Sequence, residues 1–196
     1  MTGKPKTERP KTGQRTPRKA TAAYLRNAAL YYLDRYASST ANLRRILMAK
    51  VERSARAHDT DRAEGAATVD ALLADFTRDG VLDDARYAAG RVRALYRRGA
   101  STRAIRARLA AKGVVREHID PAIATLREES HEPDLTAALT FARRRRLGPY
   151  RAQNTRADHR TRDLAALGRQ GFAYDVARQV IDTEDVASLE DEASGR

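Results

Sequence analysis

The sequence predicts an all-α protein of three tandem three-helix repeats, forming an elongated, curved solenoid with disordered termini. Apolar residues recur at three- and four-residue steps across residues 21–183, and strand-like alternation does not occur there. Ala and Arg, both strong helix formers, dominate the same stretch. In addition, one pattern of cap and core residues occurs three times, which is typical of a repeat protein.

Constant offsets define the repeat. Residues 39–47 align with residues 101–109 at an offset of 62, and residues 69–76 align with residues 119–126 at an offset of 50. The difference of 12 indicates an insertion in the first copy near residues 52–66. This polar segment is either a loop or an extension of a helix.

A third copy lies near the C-terminus, where residues 167–171 align with residues 109–113. Units this small bury their apolar faces poorly alone, so we expect them to pack end to end. The predicted organisation is a disordered basic arm (1–20), three repeats (21–82, 83–133 and 134–183) and a loose acidic tail (184–196).

Local residue types mark the ends of the helices within each repeat. Ser39 and Ser101 can accept hydrogen bonds from the free N–H groups of the helices that follow them. Gly113 and Gly171 lie where a helix is expected to end in a left-handed residue.

Two adjacent carboxylates, Asp83 and Asp84, could belong to a metal site, to a general-base pair or to a helix start. Gly80 is expected to end the preceding helix, so Asp83 becomes the N-cap of the next one. Asp84 then lies in the first turn, where the helix dipole favours a negative charge. A metal site needs further ligands, and none is arranged nearby in sequence. We therefore favour capping over metal-dependent catalysis, and expect neither a metal nor a cofactor.

The composition argues against an enzyme and against a membrane protein. The 196 residues contain no Cys, which excludes disulfides, thiolate metal sites and Cys nucleophiles. The four His residues lack metal-ligand spacing, and no phosphate-binding Gly loop or Ser nucleophile elbow occurs. No apolar run approaches the roughly 18 residues that span a bilayer. The sequence predicts a cytoplasmic, monomeric protein without enzymatic activity.

The net charge of +12 is distributed unevenly. Residues 1–20 hold seven Lys or Arg residues against Glu8, and residues 184–196 hold five acids against Arg196. Such terminal segments cannot bury enough apolar surface to offset the cost of ordering. The remaining residues are still about +10, which favours an anionic partner, either nucleic acid or an acidic protein groove.

The basic residues are concentrated in residues 85–116, which contain ten basic residues and no acidic one. A solvated helix face usually mixes charges of both signs, so a single-sign run favours a binding role. Arg also suits bidentate contacts with carboxylates or phosphates. The candidate binding residues are Arg86, Arg93, Arg97, Arg98, Arg103, Arg106, Arg108 and Lys112, together with Arg143, Arg144, Arg145 and Arg146 of the third repeat.

Four motifs, taken in order, resemble those of the RecX regulatory proteins, bacterial modulators of the RecA recombinase. The motifs are GVLDDARYA (80–88), RRGASTRAIRARLAAKGV (97–114), ARRRRLG (142–148) and LAALGRQGFAYDVARQVI (164–181). The resemblance covers about residues 23–182, and it leaves the basic arm and the 52–66 insertion outside the motifs.

This resemblance implies nine helices in three tandem units. It further implies a protein that lies in the groove of the RecA–DNA filament and damps its ATPase and strand-exchange activity, modulating recombination, DNA repair and the SOS response. The family supplies no catalytic residues to transfer. The residues alone leave an alternative, a non-catalytic protein that grips the phosphates of single- or double-stranded DNA weakly and in a salt-dependent manner.

Overall fold

The computed structural model describes residues 17–195, and within them the chain forms eleven α-helices, two short 3₁₀ turns and no strand. The predicted all-α class is confirmed. Residues 1–16, most of the predicted basic arm, lie outside the described residues. The helices are α1 (Ala22–Leu33), α2 (Thr40–His58), α3 (Arg62–Arg78), α4 (Asp84–Tyr96), α5 (Thr102–Ala110), α6 (Arg116–Ala124), α7 (Leu126–Glu129), α8 (Pro133–Arg145), α9 (Arg156–Arg169), α10 (Tyr174–Asp182) and α11 (Val186–Ser194).

Three hydrophobic clusters form the core, and they follow one another along the chain. The first joins α1, α2 and α3 around Phe76, and the second joins α4 to α7 around Ile105. The third joins α8 to α11 around Leu167. All three central residues are at most 1% exposed. Each group of helices therefore has an apolar core of its own, and we call the groups units 1, 2 and 3.

The insertion in the first copy lengthens two helices. Helices α2 and α3 have 19 and 17 residues, whereas α5 and α6, their counterparts in unit 2, have 9 each. Gly65 allows the longer pair to pack closely, because a Cβ atom at this position would lie 2.5 Å from Cγ1 of Val51. Of the two possibilities open at residues 52–66, the structure adopts the helix extension.

The prediction of a loose acidic tail is wrong for the segment that forms α11. Leu189 and Ala193 of this helix are buried in the third cluster. The carbonyl of Ala193 also accepts a hydrogen bond of 2.9 Å from the hydroxyl of Ser130. The five acids of this segment led to the prediction of a loose tail. The signal for a buried helix was the spacing of Leu189 and Ala193, which are four positions apart and therefore share one helix face. The core of unit 3 consequently extends beyond residue 183.

The two joints between consecutive units are built in the same way. At the first joint, Oδ1 of Asp84 accepts hydrogen bonds from the N–H (2.8 Å) and the hydroxyl (3.2 Å) of Thr40. At the second, Asp134 accepts from the N–H (2.7 Å) and the hydroxyl (2.9 Å) of Thr102. The carboxylate that opens the first helix of one unit thus supports the start of the second helix in the preceding unit.

A buried serine completes each joint. Ser39 and Ser101 accept a hydrogen bond from the N–H three residues later, so their predicted role as N-caps is confirmed. Each hydroxyl also donates to a carbonyl of the next unit, that of Lys112 for Ser39 and that of Gln170, at 2.7 Å, for Ser101. One side chain therefore caps its own helix and binds the neighbouring unit.

The turns that receive these serines require glycine. Gly113 and Gly171 have φ values of +74° and +86°, which confirms the predicted left-handed helix ends. A Cβ atom at Gly113 would lie 2.4 Å from Cβ of Ala41, and one at Gly171 would lie 2.9 Å from Oγ of Ser101. The units approach one another so closely that a side chain would not fit at either turn.

Replacing Asp134 with Ala is expected to lower the free energy of unfolding by about 1–2 kcal/mol, because Thr102 loses both hydrogen bonds across the joint. Urea denaturation followed by circular dichroism measures this loss. Asp158→Ala is a matched control, since Asp158 is an exposed acid in the first turn of α9. Equal and small effects of both substitutions would contradict the role assigned to Asp134.

Candidate binding surface

All twelve basic residues predicted to form a binding site lie exposed at the surface. They come from α4, α5, α8 and the turns that follow these helices. Within the described part of the chain, the structure brings some of them together at the second joint, pairs Arg106 and Arg143 with carboxylates and leaves a further group near the first joint.

The two arginine-rich segments of the sequence meet at the second joint. Arg144 on α8 donates a hydrogen bond of 3.1 Å from Nη1 to the carbonyl of Arg98, which follows α4. The next residue, Gly99, packs against α8 so closely that a Cβ atom there would lie 2.7 Å from the nitrogen of Phe141. Arg103, at the start of α5, lies beside the turn at Gly171. Residues more than forty positions apart thus form one basic surface.

A basic pocket of about 410 Å³ opens in unit 3, with lining residues from both α8 and α9. Four of the lining residues are arginines, and a single one is a carboxylate. The lining consists of Phe141, Arg145, Leu147, Arg151, His159, Arg162, Asp163, Ala166, Arg169 and Gln170. Only Arg145 of these belongs to the predicted site, because nothing in the spacing of Arg162 and Arg169 shows that they face α8.

The carboxylate of the pocket, Asp163, is only 1% exposed, and its negative charge is balanced by Arg151. It accepts hydrogen bonds from Nε (2.8 Å) and Nη2 (2.9 Å) of Arg151 and from the N–H of Gly148 (2.9 Å). Burial opposes ionisation of this carboxyl, but the bonds from Arg151 and Gly148 outweigh burial and hold the pKa of Asp163 below its ordinary value. Arg151 is therefore a structural residue with its charge balanced.

The other three arginines of the pocket carry uncompensated charge. Among residues 17–195, no carboxylate forms an ion pair with Arg145, Arg162 or Arg169. The guanidinium of Arg145 lies 5.9 Å from the ring centroid of Phe141, which restricts its position. Three guanidinium groups around one concavity can bind a phosphate or a carboxylate through charge-assisted hydrogen bonds.

Among the described contacts of the predicted site, Arg106 and Arg143 each have an acidic partner. Nε of Arg106 lies 2.9 Å from Oδ1 of Asp120, across the α5–α6 pair. Arg143 pairs with Glu190 on α11, and the same carboxylate accepts a hydrogen bond from the hydroxyl of Tyr150. Exposed pairs of this kind contribute only about 0–1 kcal/mol, so an anionic partner can compete for both arginines.

A second basic group lies near the first joint. Nζ of Lys112 approaches Oδ1 of Asn42 at 3.4 Å, and Arg86 and Arg91 line a cavity of about 510 Å³ that includes residues of unit 1. The remaining candidates are also exposed; they are Arg93, Arg97, Arg108 and Arg146. Basic residues of the predicted site thus occur at both joints, with Arg98, Arg103 and Arg144 at the second and Arg86 and Lys112 near the first.

Asp83 and Asp84 prove to be capping residues. Oδ1 of Asp83 accepts a hydrogen bond of 2.8 Å from the N–H of Arg86, and Asp84 lies in the first turn of α4, so the capping interpretation is confirmed. Within the described residues, no group of three or more His, Asp or Glu side chains is arranged to hold a metal. Nor is any described helix long and apolar enough to cross a membrane.

Comparison with known proteins finds relatives along most of the chain. A family model described as "RecX, second three-helix domain" matches residues 83–123. A "Regulatory protein RecX" of Myxococcus xanthus strain DK1622 is 44% identical over 172 residues, covering 87% of this chain and 91% of the relative. A protein of the same description from Agrobacterium fabrum strain C58 is 31% identical over 177 residues, covering 88% and 92%. No solved structure gives a significant match.

Proposed function

The chain belongs to the RecX family of regulatory proteins, and we propose that it binds the filament of a RecA-type recombinase and inhibits ATP hydrolysis and strand exchange. In this role it is a non-catalytic, monomeric regulator of recombination and DNA repair in the cytoplasm. The observation that carries the proposal is the basic surface at the second joint, where the arginines of units 2 and 3 meet beside the basic pocket.

The geometry of the joints supports binding to a repetitive partner. Because both joints use the same carboxylate, serine and glycine contacts, units 1 and 2 are joined by the same set of bonds as units 2 and 3. Basic groups occur at both joints, so a filament that repeats its acidic groups can contact each joint in turn. We propose that the three units form a curved solenoid along the groove of such a filament.

The test is DNA-dependent ATP hydrolysis by the cognate recombinase in the presence of the purified protein. We expect hydrolysis to fall as the protein approaches a stoichiometric ratio to the recombinase, because a bound regulator blocks cycling of the filament. Unchanged hydrolysis at stoichiometric amounts would overturn the proposal.

A second candidate function is direct binding of DNA phosphates, and the pocket with Arg145, Arg162 and Arg169 favours it. Binding through phosphates releases counterions, so affinity for bare DNA should fall steeply as salt is raised. The same ATPase assay separates the two functions when it is repeated at salt that abolishes binding to bare DNA. Inhibition that persists there assigns the regulatory activity to contacts with the recombinase.

A further inference from the structure

Helix α1 and the segment that follows it present aromatic side chains to solvent in unit 1, outside the predicted basic site. Tyr31 is 61% exposed and Tyr36 is 57% exposed, and Leu30 beside them is 42% exposed. An aromatic ring left largely open forgoes the burial that usually stabilises it. Three large exposed side chains within seven residues therefore make this surface a candidate for ligand binding.

A groove of about 570 Å³ runs beside this helix. Its lining contains two tyrosines, three cationic side chains and no carboxylate. The residues are Arg18, Lys19, Thr21, Tyr24, Asn27, Ala28, Tyr31 and Lys50. The groove combines aromatic surface with positive charge, and none of its lining residues belongs to the predicted basic site.

The cations lie beside the rings. Nζ of Lys50 is 5.5 Å from the ring centroid of Tyr24, and the guanidinium carbon of Arg35 is 4.1 Å from that of Tyr31. A cation at these distances is attracted to the negative face of a ring. Because most of Tyr31 remains exposed even with Arg35 in place, a flat ligand can still contact the ring.

One wall of the groove is anchored to the fold. The N–H of Ala20 donates a hydrogen bond of 2.9 Å to Oγ of Ser54, a fully buried residue of α2. The carbonyl of Pro17 contacts Nε2 of His58 at the end of the same helix. Thr21 caps α1 by accepting from the N–H of Tyr24. These bonds hold the backbone on both sides of Arg18 and Lys19, so the groove is formed before a ligand arrives, which limits the entropic cost of binding.

We propose that this groove binds single-stranded nucleic acid, with a base against Tyr31 and the backbone phosphates on Arg18, Lys19 and Lys50. Aromatic rings flanked by a positively charged track are the combination that single strands require, since their bases are free to stack. In a duplex the bases are already stacked and paired, so a duplex uses only the cations. An acidic peptide would likewise use only the cations and leave the exposed ring without a role. This site goes beyond the proposed recombinase contact, because it lies in unit 1 and binds the unpaired bases of a single strand.

The experiment uses the full chain and fluorescence anisotropy with a labelled oligothymidylate of about 15 nucleotides, a length within the usual site size. Tyr31→Ala should weaken binding roughly fivefold or more, because stacking of one base contributes about 1–3 kcal/mol. Tyr31→Phe should retain the wild-type affinity, since the ring and not the hydroxyl makes the contact. Tyr174→Ala is the matched control, because Tyr174 on α10 is 67% exposed and lies outside the groove.

An abasic oligonucleotide of the same length and charge provides the second arm. Wild-type protein should bind it more weakly than oligothymidylate, and Tyr31→Ala should not reduce that weaker binding further. Phosphate contacts elsewhere on the protein affect both oligonucleotides equally, so the ratio of the two affinities isolates the bases. Equal affinity for both oligonucleotides, or wild-type affinity in Tyr31→Ala, would overturn the proposal, because binding would then depend on the cations alone. The recombinase ATPase assay is run separately on Tyr31→Ala. Inhibition of ATP hydrolysis tests the proposed function, whereas oligonucleotide binding tests the groove, so failure of one can be distinguished from failure of the other.

Discussion

Replacing Arg97, Arg98 and Arg103 together with Glu should raise the protein concentration needed for half-maximal inhibition of recombinase ATP hydrolysis by about tenfold or more. All three side chains are exposed, and within residues 17–195 none of them forms an ion pair. Their reversal therefore removes attraction to an acidic partner and introduces repulsion without breaking an internal contact. The far-ultraviolet circular dichroism of the variant should match that of the wild type.

A triple variant with the same change in net charge controls for long-range electrostatics. Arg53 and Arg56 are exposed on α2 of unit 1, Arg178 is exposed on α10, and none of the three lines the basic pocket. Their reversal to Glu should leave inhibition within about a factor of two or three, the residual effect expected from general steering. If both triple variants lose inhibition equally, total charge and not the second joint governs binding.

Replacing Asp163 with Ala should lower the free energy of unfolding by about 3 kcal/mol, the largest stability loss we expect from a single polar residue. The carboxylate is 1% exposed and accepts three hydrogen bonds, so its removal leaves Arg151 and the N–H of Gly148 without partners. Asp182→Ala is the matched control. Asp182 makes an equally close two-bond contact with Arg160 (both 2.7 Å), but the two side chains are 38% and 44% exposed. Solvent screening should limit the loss there to less than about 1 kcal/mol.

The same residue predicts how stability depends on pH. Because the folded-state pKa of Asp163 lies below its unfolded value, the ionised carboxylate stabilises the fold above the ordinary Asp pKa of about 3.9. That stabilisation is lost as the pH falls through the folded-state pKa. The difference in unfolding free energy between wild type and Asp163→Ala should accordingly be largest near neutral pH and should decrease below about pH 4. A difference that stays constant from pH 7 to about pH 3 would contradict the assignment of an ionised Asp163.

The elements that the sequence predicted best depend on residues close together in the chain. Ser39, Ser101 and Asp83 bond to N–H groups three residues away, and Gly113 ends its helix through its own φ angle. Such contacts follow from residue type and short spacing alone. The apolar period of the helices is equally local, which is why the all-α class could be predicted without knowledge of the packing.

The failures share a different origin. The acids of the C-terminal segment were counted as charge, whereas α11 is stabilised by burial of Leu189 and Ala193 against unit 3. Asp84 was recognised as a first-turn acid, but its bonds to Thr40 cross 44 positions of the chain. Burial against another unit and bonding across a joint are invisible to a count of neighbouring residues.

By itself the sequence determined the helical class, the repeated caps, the glycine helix ends and an excess of exposed arginine. Only the tertiary structure decided which arginines lie close together. It paired Arg143 with Glu190, brought Arg144 to the carbonyl of Arg98, and gathered Arg162 and Arg169 around a cavity with α8. The physical reason is the distance along the chain over which each interaction acts. Helix caps and the helical apolar period involve residues three or four positions apart, whereas the position of a charge relative to another unit is set by packing between residues that are distant in sequence.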